Sequence, residues 1–375
     1  MKEVHYTMKP LFISILFGFS AWAAGPGTAA NLKLAGNAPE AVHKGLRWLV
    51  STQGHDGGWG QDGGETSYVR TGERLEHSGN DVANTAVAVL ALLHAGHTPD
   101  RGNYAAHSRR GLEFILVSIE QSPMEGLAIT NAHDTQIQRK LGPYIDTFLS
   151  SMLLSELDKQ VQDQRLAARV RAGLRKCVAK IEQNQQRDGS WNSTGGWAPV
   201  IGTSIASRSL NKAKDNGIAV KAEVMDRVDK YTRENLAYSG ARPAASDTPR
   251  GRPTGAAPPV ALYQGAQALE QLTRTEASRK ANANEIRQMT SQLSDAGYVR
   301  GFGSMGGEEF FSYLNISESM KRAGGQPWHD WNEKIKAQLV ELQNQDGTWA
   351  GHHCITGRVS VTAAAILTLM VDQRL

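Results

Sequence analysis

At 375 residues, 40% hydrophobic and 21% charged, the chain has the composition of a globular protein with a sizeable core. Its net charge of +4 is spread along the sequence with no polybasic block, which removes the usual electrostatic basis for binding nucleic acid or an anionic membrane surface. The two cysteines, Cys177 and Cys354, fall in different parts of the repeat traced below, which argues against their pairing.

The chain opens with Lys2 and Lys9 ahead of an apolar run, Leu11 to Trp22, too short to span a bilayer comfortably. Ala21, Ala23 and Ala24 then supply a small-residue cleavage pattern, with a later cut near Ala29–Ala30 as the alternative. These features predict a signal peptide over 1–24, cleaved as late as 30, and a mature chain over 31–375 that is periplasmic or secreted. No later stretch approaches the ~20 apolar residues of a spanning helix.

The mature sequence is a repeat of helix pairs, taken here in chain order. In the first, over 41–98, GLRWLVSTQ has apolar residues at helical spacing and runs into QGHDGGW, Gln53 to Trp59. The small apolar helix TAVAVLAL follows from Thr85. The second pair, 104–160, ends in TFLSSMLL from Thr147, and the third, 165–214, carries QQRDGSW, Gln185 to Trp191, before TSIASRSL from Thr203. The fourth, 219–274, has YQGAQAL from Tyr263, and the fifth, 279–324, has EEFFSYLNISESM from Glu308. The sixth, 329–373, repeats the first closely: WNEKIKAQLVELQ, then QNQDGTW, Gln343 to Trp349, then TAAAILTL from Thr362. Asp-Gly stops each long helix, and the Trp can fold back onto the helix it has left. Its indole N–H then needs a partner, which the Gln would help position. Long amphipathic helices suit an outer layer and small-residue helices an inner one. The fold predicted is therefore all-α: a single (α/α)6 toroid of six helix pairs, small helices inside and amphipathic helices outside.

The Q-x-x-D-G-x-W turns resemble the QW repeats of squalene–hopene cyclases and protein prenyltransferase β subunits, with three good copies and three degenerate ones across nearly all of the mature chain. That resemblance implies the α/α toroid and leaves function open, since the motif is structural.

In such a ring the inner helices run parallel, so their N-termini and the loops before them gather at one mouth of a central cavity. Those loops are polar. The first supplies Glu76, His77 and Asp81; the second His133, Asp134, Tyr144 and Asp146; the fourth Arg250 and Arg252, followed by Tyr263; the fifth Glu308 and Glu309; the sixth His352, His353, Cys354 and Arg358. His353, Cys354, Glu309 and Asp81 are the candidate catalytic set, because imidazole, thiol and carboxylate serve acid–base and nucleophilic chemistry. Asp81, at the start of GNDVANTA, reads first as a helix N-cap and only second as a catalytic acid. His133, Asp134, Tyr144, Arg250, Tyr263 and Arg358 are the candidate ligand-binding residues. His352, Cys354 and Glu309 are donors of the kind that hold zinc. The expected ligand is a small molecule, polymer or protein at the central cavity.

The cyclases resembled here protonate an alkene with a D-x-D-D motif, which is absent, as is a metal-binding D-D-x-x-D. The inner helices also carry few aromatics to stabilise a carbocation. The prenyltransferases hold zinc through Asp, Cys and His, but their D-x-C pairing is not matched at Cys354. The complement-like thioester Cys-Gly-Glu-Gln is likewise missing, Cys354 being followed by Ile355. Two readings stay open: an exported enzyme of metal-assisted hydrolysis or transfer, and a non-catalytic scaffold holding its ligand in the same concavity.

Overall fold

The computed structural model describes residues 35–62, 79–191, 199–239, 258–294 and 306–373. Long helices alternate through it. In chain order, α1 (Ala38–Ser51) is followed by the short strands β1 (Trp59–Gly60) and β2 (Asn80–Asp81), then α2 (Val82–His94) and α3 (Ala105–Gln121). Next come α4 (Gln136–Leu141), α5 (Ile145–Leu157), α6 (Gln164–Gln183), α7 (Pro199–Asp215), α8 (Ala222–Ser239) and α9 (Pro258–Thr273). The chain finishes with α10 (Glu276–Ala281), α11 (Ala283–Ser294), α12 (Gly307–Ala323), α13 (Gly325–Glu341) and α14 (Arg358–Leu369).

The small-residue helices form the inner layer. α2 packs on α5, α5 on α7, α7 on α9, α9 on α12 and α12 on α14; α14 then returns to α2 and closes the ring. From Val82 to Leu93 every residue of α2 is buried, as is every residue of α14 from Val359 to Leu369. A helix enclosed on all sides cannot be strongly amphipathic, which is why Ala, Thr, Val and Leu fill both. Outer helices bury one stripe: in α6 it is Leu166, Val170, Leu174, Cys177 and Ile181, at helical spacing.

The three QW turns are built alike. The Trp59, Trp191 and Trp349 indoles donate to the carbonyls of Leu49, Ile181 and Leu339, at 2.8, 2.6 and 2.7 Å, in the helix each has just left. The Gln does something else. Gln53, Gln185 and Gln343 each donate to their own turn, at Gly57, Gly189 and Gly347, and to a carbonyl of the next outer helix, at His107, Val224 and Ala41. Asp56, Asp188 and Asp346 accept the backbone N–H two residues on, an Asx turn. The Gly between sits at φ 90, 93 and 91°, a left-handed conformation that favours glycine. A Cβ there would also meet backbone of the next outer helix, 2.3 Å from the Arg227 oxygen in the second copy. The motif thus staples consecutive outer helices together, and the Gln343–Ala41 bond closes the outer layer.

The ring axis is nearly filled. Val87, Leu90, Leu149, Ile205, Phe311 and Leu367 converge on a space of about 30 Å³. Among the described residues, a cavity of about 710 Å³ lies at the C-terminal ends of the inner helices, at the end opposite Glu308, His353 and Cys354. Its walls carry paired charges: Glu156 meets His94 and Lys212, and Arg208 meets Glu270 and Glu318. Basic side chains at helix C-termini also complement the helix dipoles. No helix among the described residues is long and apolar enough to cross a membrane. Cys177 and Cys354 are not joined in a disulfide.

Candidate functional site at the inner-helix N-termini

Two inner helices begin side by side where α12 starts and the loop 351–357 feeds α14. The loop is held from three sides. His353 bridges to Gly306, and its carbonyl accepts the Gly307 N–H at 3.2 Å. Gly307 and Gly351 let the backbones touch: a Cβ on either would lie 1.9 or 2.2 Å from the Ile355 carbonyl oxygen. From below, the Gln136 amide oxygen accepts the Thr356 and Gly357 N–H groups, at 2.9 and 3.0 Å, and its nitrogen donates to the Thr356 hydroxyl. Held this way, Cys354 sits at φ 58°, a left-handed conformation unfavourable for a non-glycine residue by about 1–3 kcal/mol.

That turn brings three donors together. One ligand atom each from Glu308, His353 and Cys354 lies within 4.8 Å of the others, and His353 Nδ1 is 3.3 Å from Cys354 Sγ. Glu308 is 2% exposed, its Oε2 has no hydrogen-bond partner, and its carboxylate fills the space that a side chain at Gly306 would need. This shifts the donor set read from the sequence, His352, Cys354 and Glu309, by one residue at two positions. Glu309 is spent locally, accepting the Gly306 N–H and the Tyr313 hydroxyl, both at 3.2 Å. One step along a helix turns a side chain by ~100°, so Glu308 points elsewhere. His352 is exposed while its neighbour His353 is half-buried.

A second acidic site lies at the adjoining helix starts. Asp81 caps α2, accepting the Asn84 N–H and side-chain amide, both at 2.8 Å. Asp146, in the first turn of α5, accepts the Ala83 N–H at 3.1 Å and the Gln138 amide at 2.7 Å. Burial, with the Asp146 charge adding to it, pushes the Asp81 carboxyl up to about 7. Asp81 is thus both the cap of α2 and a carboxyl with a raised pKa. α4 links both sites, Gln136 holding the Cys354 loop and Gln138 holding Asp146. Neither glutamine belongs to the set read from the sequence, although Thr135-Gln-Ile-Gln spells the capping box that α4 forms.

The remaining candidates lie apart. His133 and Tyr144 line a separate groove of about 660 Å³ beside α3. Asp134, at φ 61°, pairs with Arg139 at 3.4 Å. Arg358 is engaged structurally: it pairs with Asp62 at 2.7 Å and Asp346 at 2.9 Å, and lies over the Trp48 ring. Glu76, His77, Arg250 and Arg252 lie outside the described residues, as does the N-terminal apolar run. Tyr263 falls within α9.

The closed ring of inner helices, its outer layer and its stapled turns define a terpenoid-cyclase/prenyltransferase-like α/α toroid. Comparison with known proteins agrees. Residues 21–126 match the family model of the squalene-hopene cyclase C-terminal domain. The terpene cyclase/mutase ntnI of Nectria sp is 38% identical over 98 residues, 25% of this chain; the match spans only 12% of that protein. Among solved structures, a variant of the type II terpene cyclase MstE from Scytonema, bound to its substrate geranylgeranyl dihydroxybenzoate, aligns with a TM-score of 0.51 at 12% identity. That alignment covers 92% of this chain and 99% of the other. An apo variant of the same cyclase gives 0.52 at 12% identity, over 91% and 98%. At that identity the likeness is one of fold.

Proposed function

We propose that this chain is an exported enzyme that performs hydrolysis or group transfer at the mouth formed by its inner-helix N-termini, through Glu308, His353 and Cys354. The observation that carries the reading is the convergence of a buried carboxylate, an imidazole and a thiol within 4.8 Å, on a loop held in a strained conformation. A scaffold alone would leave such groups scattered, each with a capping partner. Polyene cyclisation fits poorly: Asp81 opens D-V-A-N, without the D-x-D-D acid motif. Export rests on the Lys-flanked apolar run and small residues before position 25; N-terminal sequencing of the secreted chain would test it.

The functional test is thiol alkylation of the mature chain in chelator, mapped by peptide mass spectrometry. Cys354 is expected to react near neutral pH at least about tenfold faster than in the His353→Ala variant, as an imidazole-assisted thiolate does. Cys177 should stay unmodified, since burial pushes its thiol up to about 12. A Cys354 indifferent to His353 would contradict the proposal.

A further inference from the structure

The Glu308–His353–Cys354 cluster has an unmet electrostatic need. Glu308 carries a carboxylate that is 2% exposed, with one oxygen lacking any hydrogen-bond partner. A buried carboxylate without a partner is costly, and a thiolate formed beside it at Cys354 would raise that cost unless a cation were present. We infer that these three residues bind one zinc ion, with a fourth coordination position left open for water or substrate.

The chemistry of the donor set selects the ion. One oxygen, one nitrogen and one sulfur suit zinc, whereas magnesium and calcium take oxygen ligands throughout. One carboxylate and one thiolate balance a divalent charge. The spacing fits as well. Ligand bonds of ~2.0–2.3 Å at tetrahedral angles place imidazole nitrogen and sulfur about 3.6 Å apart; His353 Nδ1 and Cys354 Sγ are 3.3 Å apart here. The left-handed turn at Cys354 lets two consecutive residues offer donors to one point, and the Gly307, Gly351 and Gln136 contacts hold it there. Binding would drive the thiol proton into solvent, leaving three protein ligands and one open position, the arrangement of catalytic rather than structural zinc. This deepens the enzyme reading and rests on it.

The test is titration of the metal-free mature chain with cobalt(II), followed by displacement with zinc. The expected result is one cobalt per chain, a thiolate-to-cobalt charge-transfer band, release of about one proton, and loss of the band when zinc is added. Cys354→Ser should abolish the band. His353→Ala and Glu308→Gln should each weaken cobalt binding at least about tenfold, an effect that even a supporting contact to a ligand can have. Cys177→Ser should change nothing. Circular dichroism of each variant guards against misfolding, and Glu308→Gln, the closest in shape, keeps the test open should the Cys354 turn collapse. Absence of the band in the wild type, or its persistence in Cys354→Ser, would overturn the zinc site. If cobalt fails to bind while Cys354 still alkylates quickly with His353 present, the zinc inference falls and the enzyme reading stands. If neither behaviour appears, both fall.

Discussion

Asp81 holds its proton to about pH 7 in the folded chain against about 3.8 unfolded. Between those values the native state binds more protons than the unfolded one, so stability declines as pH rises from about 4 to 7 and then levels off. Denaturant melts at pH 5 and pH 8 should show this fall, on the order of 2 kcal/mol. Asp81→Asn, which mimics the protonated acid, should flatten it. A wild type with no loss of stability over that range would show that Asp81 ionises freely. Single residues were only partly legible in the sequence. Glu308 and Glu309 are chemically identical there, and only the reach of Glu309 back to the Gly306 N–H decides which is left facing Cys354. Asp81 was legible as a cap, but its raised pKa was not, because that comes from burial in the folded chain and, after it, from Asp146, 65 positions away in the chain.

At the scale of elements, the QW turns were the most readable feature, since Asp, Gly and Trp each meet a local demand within the motif. The glutamine was misread: it reaches into the next repeat, and no local pattern reveals a long-range partner. Gln343→Ala, which removes the donor to both Ala41 and Gly347, should destabilise the fold by about 1–2 kcal/mol in chemical denaturation. Gly347→Ala should cost more, about 2–4 kcal/mol, because the left-handed turn and contact with Lys44 backbone both resist a Cβ. The helix α4 joins structure to chemistry. Gln136→Ala leaves the buried Thr356 and Gly357 N–H groups unpaired and should lower both the melting temperature and the alkylation rate of Cys354. A stable variant with unchanged Cys354 reactivity would show that Gln136 does not organise the loop.

For the whole molecule, closure of the ring is the defining property. α14 packs between α12 and α2, so removing the last helix pair exposes inner faces on both sides of the gap. Truncation after Gly324 is expected to abolish cooperative unfolding; an open solenoid would instead keep a shorter folded array. Alternating helices made the ring legible in the sequence, but the tightness of its axis was not, because small side chains do not reveal how closely their helices approach. A cavity of about 710 Å³ lies at the C-terminal ends of the inner helices, while Glu308, His353 and Cys354 gather at their N-terminal ends. The most direct test is a crystal structure of the zinc-soaked protein with anomalous scattering measured at the zinc edge. The account predicts one strong peak among Glu308, His353 and Cys354. A peak at another site with this cluster empty would contradict it.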